Sequence, residues 1–217
     1  MKNLYLILGA LLLIVMQTGC ASISLVNSWK DAEAPTKQYR KLLVVGVAGK
    51  TQMRQVFEEV FSDELRKMKL VATSSYTITG VETKPSRASL EDAVKKAGAD
   101  GVLITRVVNL KRNTDTHAGY VMTDKGITHT SFADPAYMPT DLYGYYGATV
   151  AYATFEGRPV EVTTSRVATL ETNLFDAGTG RMVWAGTTSA VDPEGIITIS
   201  SKLADVVIRA LASQGLI

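Results

Sequence analysis

The stretch VVGVAGKTQ, residues 44–52, carries the residue types of a phosphate-binding loop: an apolar strand, a glycine turn, Lys50-Thr51 and the start of a helix. In G-x-x-x-x-G-K-[ST] the backbone N–H groups wrap the phosphates, and four residues between the glycines complete the circuit. Here Gly46 and Gly49 enclose only Val47-Ala48, and Val44 stands where the first glycine belongs. The stretch therefore predicts a βα turn with Thr51 as the helix cap. The two histidines, His117 and His129, lie among Asp115, Asp124 and Asp134. Their separation lacks the short turn or helical spacing of zinc ligands, so no metal site is expected. No G-x-S-x-G elbow occurs, which leaves a Ser-His-Asp hydrolase without its scaffold. No catalytic residue is assigned, no cofactor is expected, and the protein is expected not to be an enzyme.

The remaining reactive side chain is Cys20, the single cysteine of 217 residues. It follows a short positive start, Met1-Lys2-Asn3, and an apolar run from Leu4 to Met16. That run makes ~20 Å of helix, too short to span a bilayer comfortably and suited to the apolar part of a secretory signal. Gln17-Thr18-Gly19-Cys20 resembles the bacterial lipobox, although Gln17 stands where leucine is usual. The resemblance implies diacylglycerol on the Cys20 thiol, cleavage before it and a further N-acyl chain. Three chains exceed the two signals that stable anchoring requires. The alternative is a plain secretory signal with Cys20 as an idle thiol. Ala21-Ser22 follow the cysteine, with no Asp to retain the product in the inner membrane, so the resemblance implies the outer membrane.

The formal net charge is +2, and removal of Lys2 with the signal leaves about +1. A near-neutral chain lacks the clustered Lys and Arg of a nucleic-acid footprint, so no nucleic acid is expected as partner. No second long apolar run follows, so no transmembrane helix is expected. With Cys20 consumed, no disulfide is available and packing must supply stability.

The elements that hold these residues follow from periodicity. Residues 20–40 are expected to form a lipidated tether that turns into a docking strand, with Trp29 either capping the core edge or exposed for binding. KLLVVGVA is a continuous apolar run of a strand buried on both faces. From Thr51, Met53, Val56, Phe57, Val60, Phe61, Leu65 and Met68 form a helical stripe, with Arg54, Glu58, Glu59, Asp63 and Arg66 largely on the opposite face. LVATSSYTI predicts a second strand. Ser89 to Asp92 predicts a capping box opening a short helix that ends at Gly98. GVLITRVVNL predicts a third strand, and strands alternating with helices in this order predict parallel pairing through right-handed crossovers.

SRVATLETNLFDAGTGRMVWAGTTSAV predicts a hairpin, with Asp176 in an Asx turn, Gly178 and Gly180 free to take positive φ, and Trp184 facing Leu174 or Thr172. Asp192-Pro193 opens a last helix striped by Ile199, Leu203, Val206, Val207, Ala210 and Leu211. Gly215 stops it and Leu216 folds back. The fold class is α/β: a single domain, β-α-β-α-β-(insert)-β-β-α, with a mixed sheet flanked by helices. The boundaries are 1–19 for the lipoprotein signal peptide, 20–40 for the tether, and 41–217 for the domain with an insert at 114–163.

KLLVVGVA, DAGTGRMVWAG and the terminal QGLI together resemble a group of poorly characterised bacterial outer-membrane lipoproteins. Their domain is similar to the amino-terminal domain of TolB, to lipoprotein activators of penicillin-binding proteins and to the curli secretion channel subunit. The shared motifs are a turn and two strands, so the resemblance implies a fold and brings no catalytic residues.

The insert holds six of the nine tyrosines, at Tyr120, Tyr137, Tyr143, Tyr145, Tyr146 and Tyr152. Glycine-spaced tyrosine suits recognition, because the ring adds contact area at low entropic cost. Tyr137, Tyr143, Tyr145, Tyr146 and Tyr152 are the candidate partner-binding residues. Three alternatives stand for the insert: a loop folded over the domain, an interaction surface, or a segment entering a bilayer or ring lumen. The functional expectation is an outer-membrane lipoprotein, lipid-anchored and facing the periplasm, that binds an envelope protein or cell-wall polymer. The alternative is a homo-oligomer, a ring-forming subunit of an envelope secretion or export complex.

Overall fold

In the computed structural model of the chain, the described residues are 22–80, 86–112, 141–146, 166–191 and 195–217. Their elements are β1 (Ser22–Lys30), β2 (Lys41–Val47), α1 (Thr51–Lys67), β3 (Val71–Ser74), α2 (Ser75–Thr79), α3 (Arg87–Ala97), β4 (Gly101–Arg112), β5 (Arg166–Asp176), β6 (Met182–Val191) and α4 (Ile196–Ser213). A helical turn covers 142–146. The six strands form one mixed sheet in the order β1-β6-β5-β4-β2-β3. β3, β2 and β4 run parallel, whereas β4, β5, β6 and β1 pair antiparallel.

Strand alternation divides the core in two. On one face Leu42, Val44, Leu103 and Leu174 meet Phe57, Phe61 and Leu65 of α1 and Leu203, Val207 and Leu211 of α4. On the other, Leu43, Val45, Ile104 and Phe175 meet Leu90 and Ala93 of α3 and the turn at 142–146. Each such Leu, Val, Ile or Phe side chain, fully buried, contributes ~1.5–3 kcal/mol. β2 is apolar on both faces because both faces are covered. α4 stops as expected: Gly215 takes φ 69°, the Leu216 N–H donates to Leu211 O at 3.0 Å, and the Leu216 side chain is buried.

Several local expectations are corrected. The docking strand expected within 20–40 is β1, and it already starts at Ser22, in register with β6 from Ser22↔Val191 to Lys30↔Trp184. The sheet thus begins at Ser22, ahead of the 41–217 boundary, and Trp29 stands exposed on this edge strand. The strand expected over LVATSSYTI ends at Ser74, and Ser75–Thr79 turn helical. Thr51 is the first helical residue of α1, not its cap; Lys50 holds the cap position without a side-chain bond. The capping box of α3 is Ser86 with Ser89, not Ser89 with Asp92. Ser89 N donates to Ser86 Oγ at 3.1 Å and Ser86 N to Ser89 Oγ at 3.0 Å, and Asp92 pairs with Lys96 on the helix surface. The last helix takes Gly195 as its cap residue; the expected opening at Asp192-Pro193 lies outside the described residues. No helix among the described residues is long and apolar enough to cross a membrane.

Candidate functional site

The loop with phosphate-site character is filled by the chain itself. At Gly46, β2 and α1 approach so closely that a Cβ would lie 2.7 Å from Phe57 Cδ1. The Gly46 N–H, the kind of donor a phosphate loop offers its anion, donates to Glu58 Oε1 at 3.0 Å. The same oxygen accepts from Arg54 Nε at 2.9 Å and from Ser75 Oγ at 2.8 Å. Oε2 accepts from the Tyr76 N–H at 2.8 Å. Arg54 also donates through Nη2 to Ser75 Oγ and Thr79 Oγ1. Glu58 is 0% exposed, so its charge is held by donors rather than by water. The spacing of Arg54 and Glu58 predicts the solvent face of α1 for both, and the structure turns both inward. The available signal was the small residues around them, Gly46, Ser62 and Ser75, which leave room for charged side chains to turn inward.

A second buried cluster holds residues 141–146 of the insert. Asp141 pairs with Arg181 as an isolated antiparallel bridge, and the Leu142 N–H donates to Gly180 O at 2.8 Å. Asp141 Oδ1 accepts from the Gly144 N–H at 2.8 Å, closing the turn. This drives Leu142, Tyr145 and Tyr146 into the core. The Tyr145 ring, 0% exposed, lies 5.3 Å from Phe175, and its hydroxyl accepts from Arg106 Nε at 3.2 Å. Arg106 pairs with Glu171 on the adjacent strand. Burial pushes the Tyr145 hydroxyl well above the ordinary tyrosine range. Burial also raises Glu171, against the opposing pull of Arg106.

These contacts correct the expectation that Tyr145 and Tyr146 belong to a contact surface: both rings pack inside. Tyr143 differs, being half-buried with the Arg87 guanidinium 4.8 Å from its ring centroid. Tyr137, Tyr152, Cys20 and both histidines lie outside the described residues. Among the described residues no group of three or more His, Cys, Asp or Glu side chains is placed to hold a metal.

The hairpin turn is tied to the segment ahead of β2. Asp176 Oδ1 accepts from Thr179 N at 2.8 Å and Thr179 Oγ1 at 3.0 Å, the expected Asx geometry. Gly180 takes positive φ, 70°, whereas Gly178 does not. Asp176 Oδ2 accepts from Tyr39 Oη at 3.1 Å and pairs with Lys37 Nζ at 2.6 Å. Burial alone would raise this carboxyl, but Lys37, the Thr179 N–H and hydroxyl, and Tyr39 outweigh it and hold it at about 2. Burial, with Asp176 alongside, raises Tyr39. A cleft of about 270 Å³ beside this turn is lined by Lys30, Asp31, Lys37 and Leu216. Its charges are engaged: Lys30 donates to Gln214 O, Asp31 accepts from Arg181, and Lys37 holds Asp176.

No protein-family model matches the chain, and no curated protein matches it. Among solved structures, a PelC dodecamer from Paraburkholderia phytofirmans in space group P6 is similar with a TM-score of 0.44 and 12% identity, over 90% of this chain and 99% of that one. The lipoprotein GNA1162 from Neisseria meningitidis is similar with a TM-score of 0.35 and 12% identity, over 80% of this chain and 95% of that one. The likeness is distant.

Proposed function

We propose that the chain is a lipoprotein of the outer membrane, anchored through Cys20 and facing the periplasm, whose α/β domain is a non-enzymatic binding or assembly module of the cell envelope. The observation that carries this is the apolar run closed by Thr18-Gly19-Cys20 and followed, after Ala21, by the first strand of a packed domain. That order suits export, lipid attachment and folding outside the cytoplasm. The non-enzymatic part is supported by the buried carboxylates Glu58, Glu171 and Asp176, whose described partners are structural donors. Among the described residues each is engaged by donors within the fold, where a general acid or base would be kept free for substrate. The partner is an envelope protein or a cell-wall polymer, and its contact surface includes the half-exposed Tyr143.

A ring-forming secretion or export subunit is the second reading, and the sheet favours it in one respect. Among the described residues the sheet ends in two unlike edges, β1 and β3. Unlike surfaces join head to tail, and such contacts close into rings when the rotation permits. Crosslinking in intact envelopes followed by pull-down, with size measured in mild detergent, tests both. A discrete crosslinked partner on a single-chain particle supports the module, and a particle many times the chain's mass supports the ring. Recovery of the chain in the cytosolic fraction contradicts both.

A further inference from the structure

Ala21 alone separates Cys20 from the first residue of β1. Two Cα–Cα steps span at most about 7 Å. Acyl chains on Cys20 place its backbone in the headgroup layer, which is roughly 5–8 Å thick on each side of the hydrocarbon core. Ser22 thus stays in that layer or at its outer boundary. Ser22 is not a loose end: it pairs with Val191 of β6, which pairs with Val167 of β5, which pairs with Lys111 of β4. A ladder step is ~5 Å, so Val191 lies within about 12 Å of the Cys20 Cα whatever the tilt of the strand.

We infer that this end of the sheet rests directly on the bilayer to which Cys20 is attached, so the domain is seated on the membrane instead of swinging from a tether. The inference rests on the reading of Cys20 as lipidated. The described surface there suits an interface. Val191 is 42% exposed, and Leu25 and Val26, three and four residues along β1, are 36% and 64% exposed. One exposed apolar residue is ordinary. Three lie near the anchor, with Leu25 and Val191 on opposite faces of the sheet, so the interfacial zone meets exposed apolar residues on either side of the sheet end. β4 ends in Lys111-Arg112 and β5 starts at Arg166 at this same end of the sheet. The seat is therefore apolar where its side chains are described, and the strands that end there carry basic residues in sequence. Gly101↔Asp176 marks the opposite end of the sheet, where the 176–181 turn points away from the lipid.

The lipidated full-length protein in phosphatidylcholine vesicles tests the seat. Cys20 is the only cysteine and its thiol is occupied by lipid, so an introduced cysteine is the sole free thiol. Val191→Cys, or Val26→Cys should the first not fold, carries a fluorophore read against shallow spin-labelled phospholipid. Val71→Cys, exposed on the opposite edge and at the far end, is the control. Quenching several-fold stronger at 191 or 26 than at 71 is expected. A Gly-Ser insert of about ten residues between Ala21 and Ser22, with an r.m.s. span of ~17 Å, should bring that quenching down to the control level while vesicle attachment persists. Equal weak quenching at both positions in attached protein overturns the seat and leaves lipidation intact. Failure to acquire lipid and attach sinks the lipoprotein reading, and the seat with it.

Discussion

The indole of Trp184 lies across Gly186: a Cβ at 186 would come within 2.2 Å of the ring's Cη2. The two residues are two apart on β6 and share a face. The ring therefore occupies the space of the missing side chain, opposite Leu174 on β5. Gly186→Ala should destabilise by about 1–3 kcal/mol, as overpacking does, and Trp184→Ala by ~3–5 kcal/mol. The double variant should cost less than the two together, because the steric conflict requires the ring. Denaturant unfolding measures all three, and a Gly186→Ala midpoint equal to the parent's contradicts this packing.

Asp176 gives the domain an acid-sensitive clasp. Its folded carboxyl sits at about 2, against an ordinary 3.8. The stabilisation is fully present above the ordinary value and is lost as pH falls through the folded one. It amounts to on the order of 2 kcal/mol. Asp176→Asn should be less stable than the parent at neutral pH, and the two should converge as pH approaches 2. A constant difference between the two down to that pH would show that Asp176 acts through geometry alone.

The tyrosines divide by burial. Tyr143→Ser should lower the melting temperature by only a few degrees, because this ring is half-buried at the margin of the core cluster. Changing Tyr143, Tyr145 and Tyr146 together should lower it by many degrees, because Tyr145 and Tyr146 are core residues. Replacing the whole insert with a short linker should be similarly damaging, since 142–146 covers Phe175. Thermal unfolding by circular dichroism separates the outcomes; a triple variant that melts with the parent would place the turn outside the core.

The Arg54–Glu58 pair links α1 to β2 and α2. Removing either partner leaves a buried charge uncompensated, at a cost on the order of 3–5 kcal/mol. Glu58→Ala should cost more than Arg54→Ala, because Glu58 also satisfies the Gly46 and Tyr76 N–H groups. A double-mutant cycle by chemical denaturation reads both terms, and near-additive small effects would argue against a buried network.

The parts legible in the sequence were those where one local signal agreed with the global fold. The apolar run 42–45 and the stripes Phe57-Phe61-Leu65 and Leu203-Val207-Leu211 are periodic because each faces a single core. The Asp176–Gly180 turn is legible because few residues suit its geometry. The rest depended on tertiary contacts. Arg54 and Glu58, four apart, have the spacing of a solvent-facing pair until Gly46 and Ser75 turn them inward. Ser75–Thr79 are β-prone, yet Glu58 captures Ser75 Oγ and Tyr76 N and the strand ends. DLYGYYG has the composition of a contact loop, and composition does not say which side of a tyrosine faces water. β1 looks like a tether because, among the described residues, it pairs on one side only and is mostly exposed.

The lipid on Cys20 is the central claim, and metabolic labelling with a fatty-acid analogue tests it most directly. The parent chain should incorporate label and float with outer membranes. Cys20→Ser should incorporate none and accumulate as unprocessed precursor or released protein, since only a thiol accepts the diacylglycerol. A serine variant that is still labelled and still floats with the outer membrane contradicts the account.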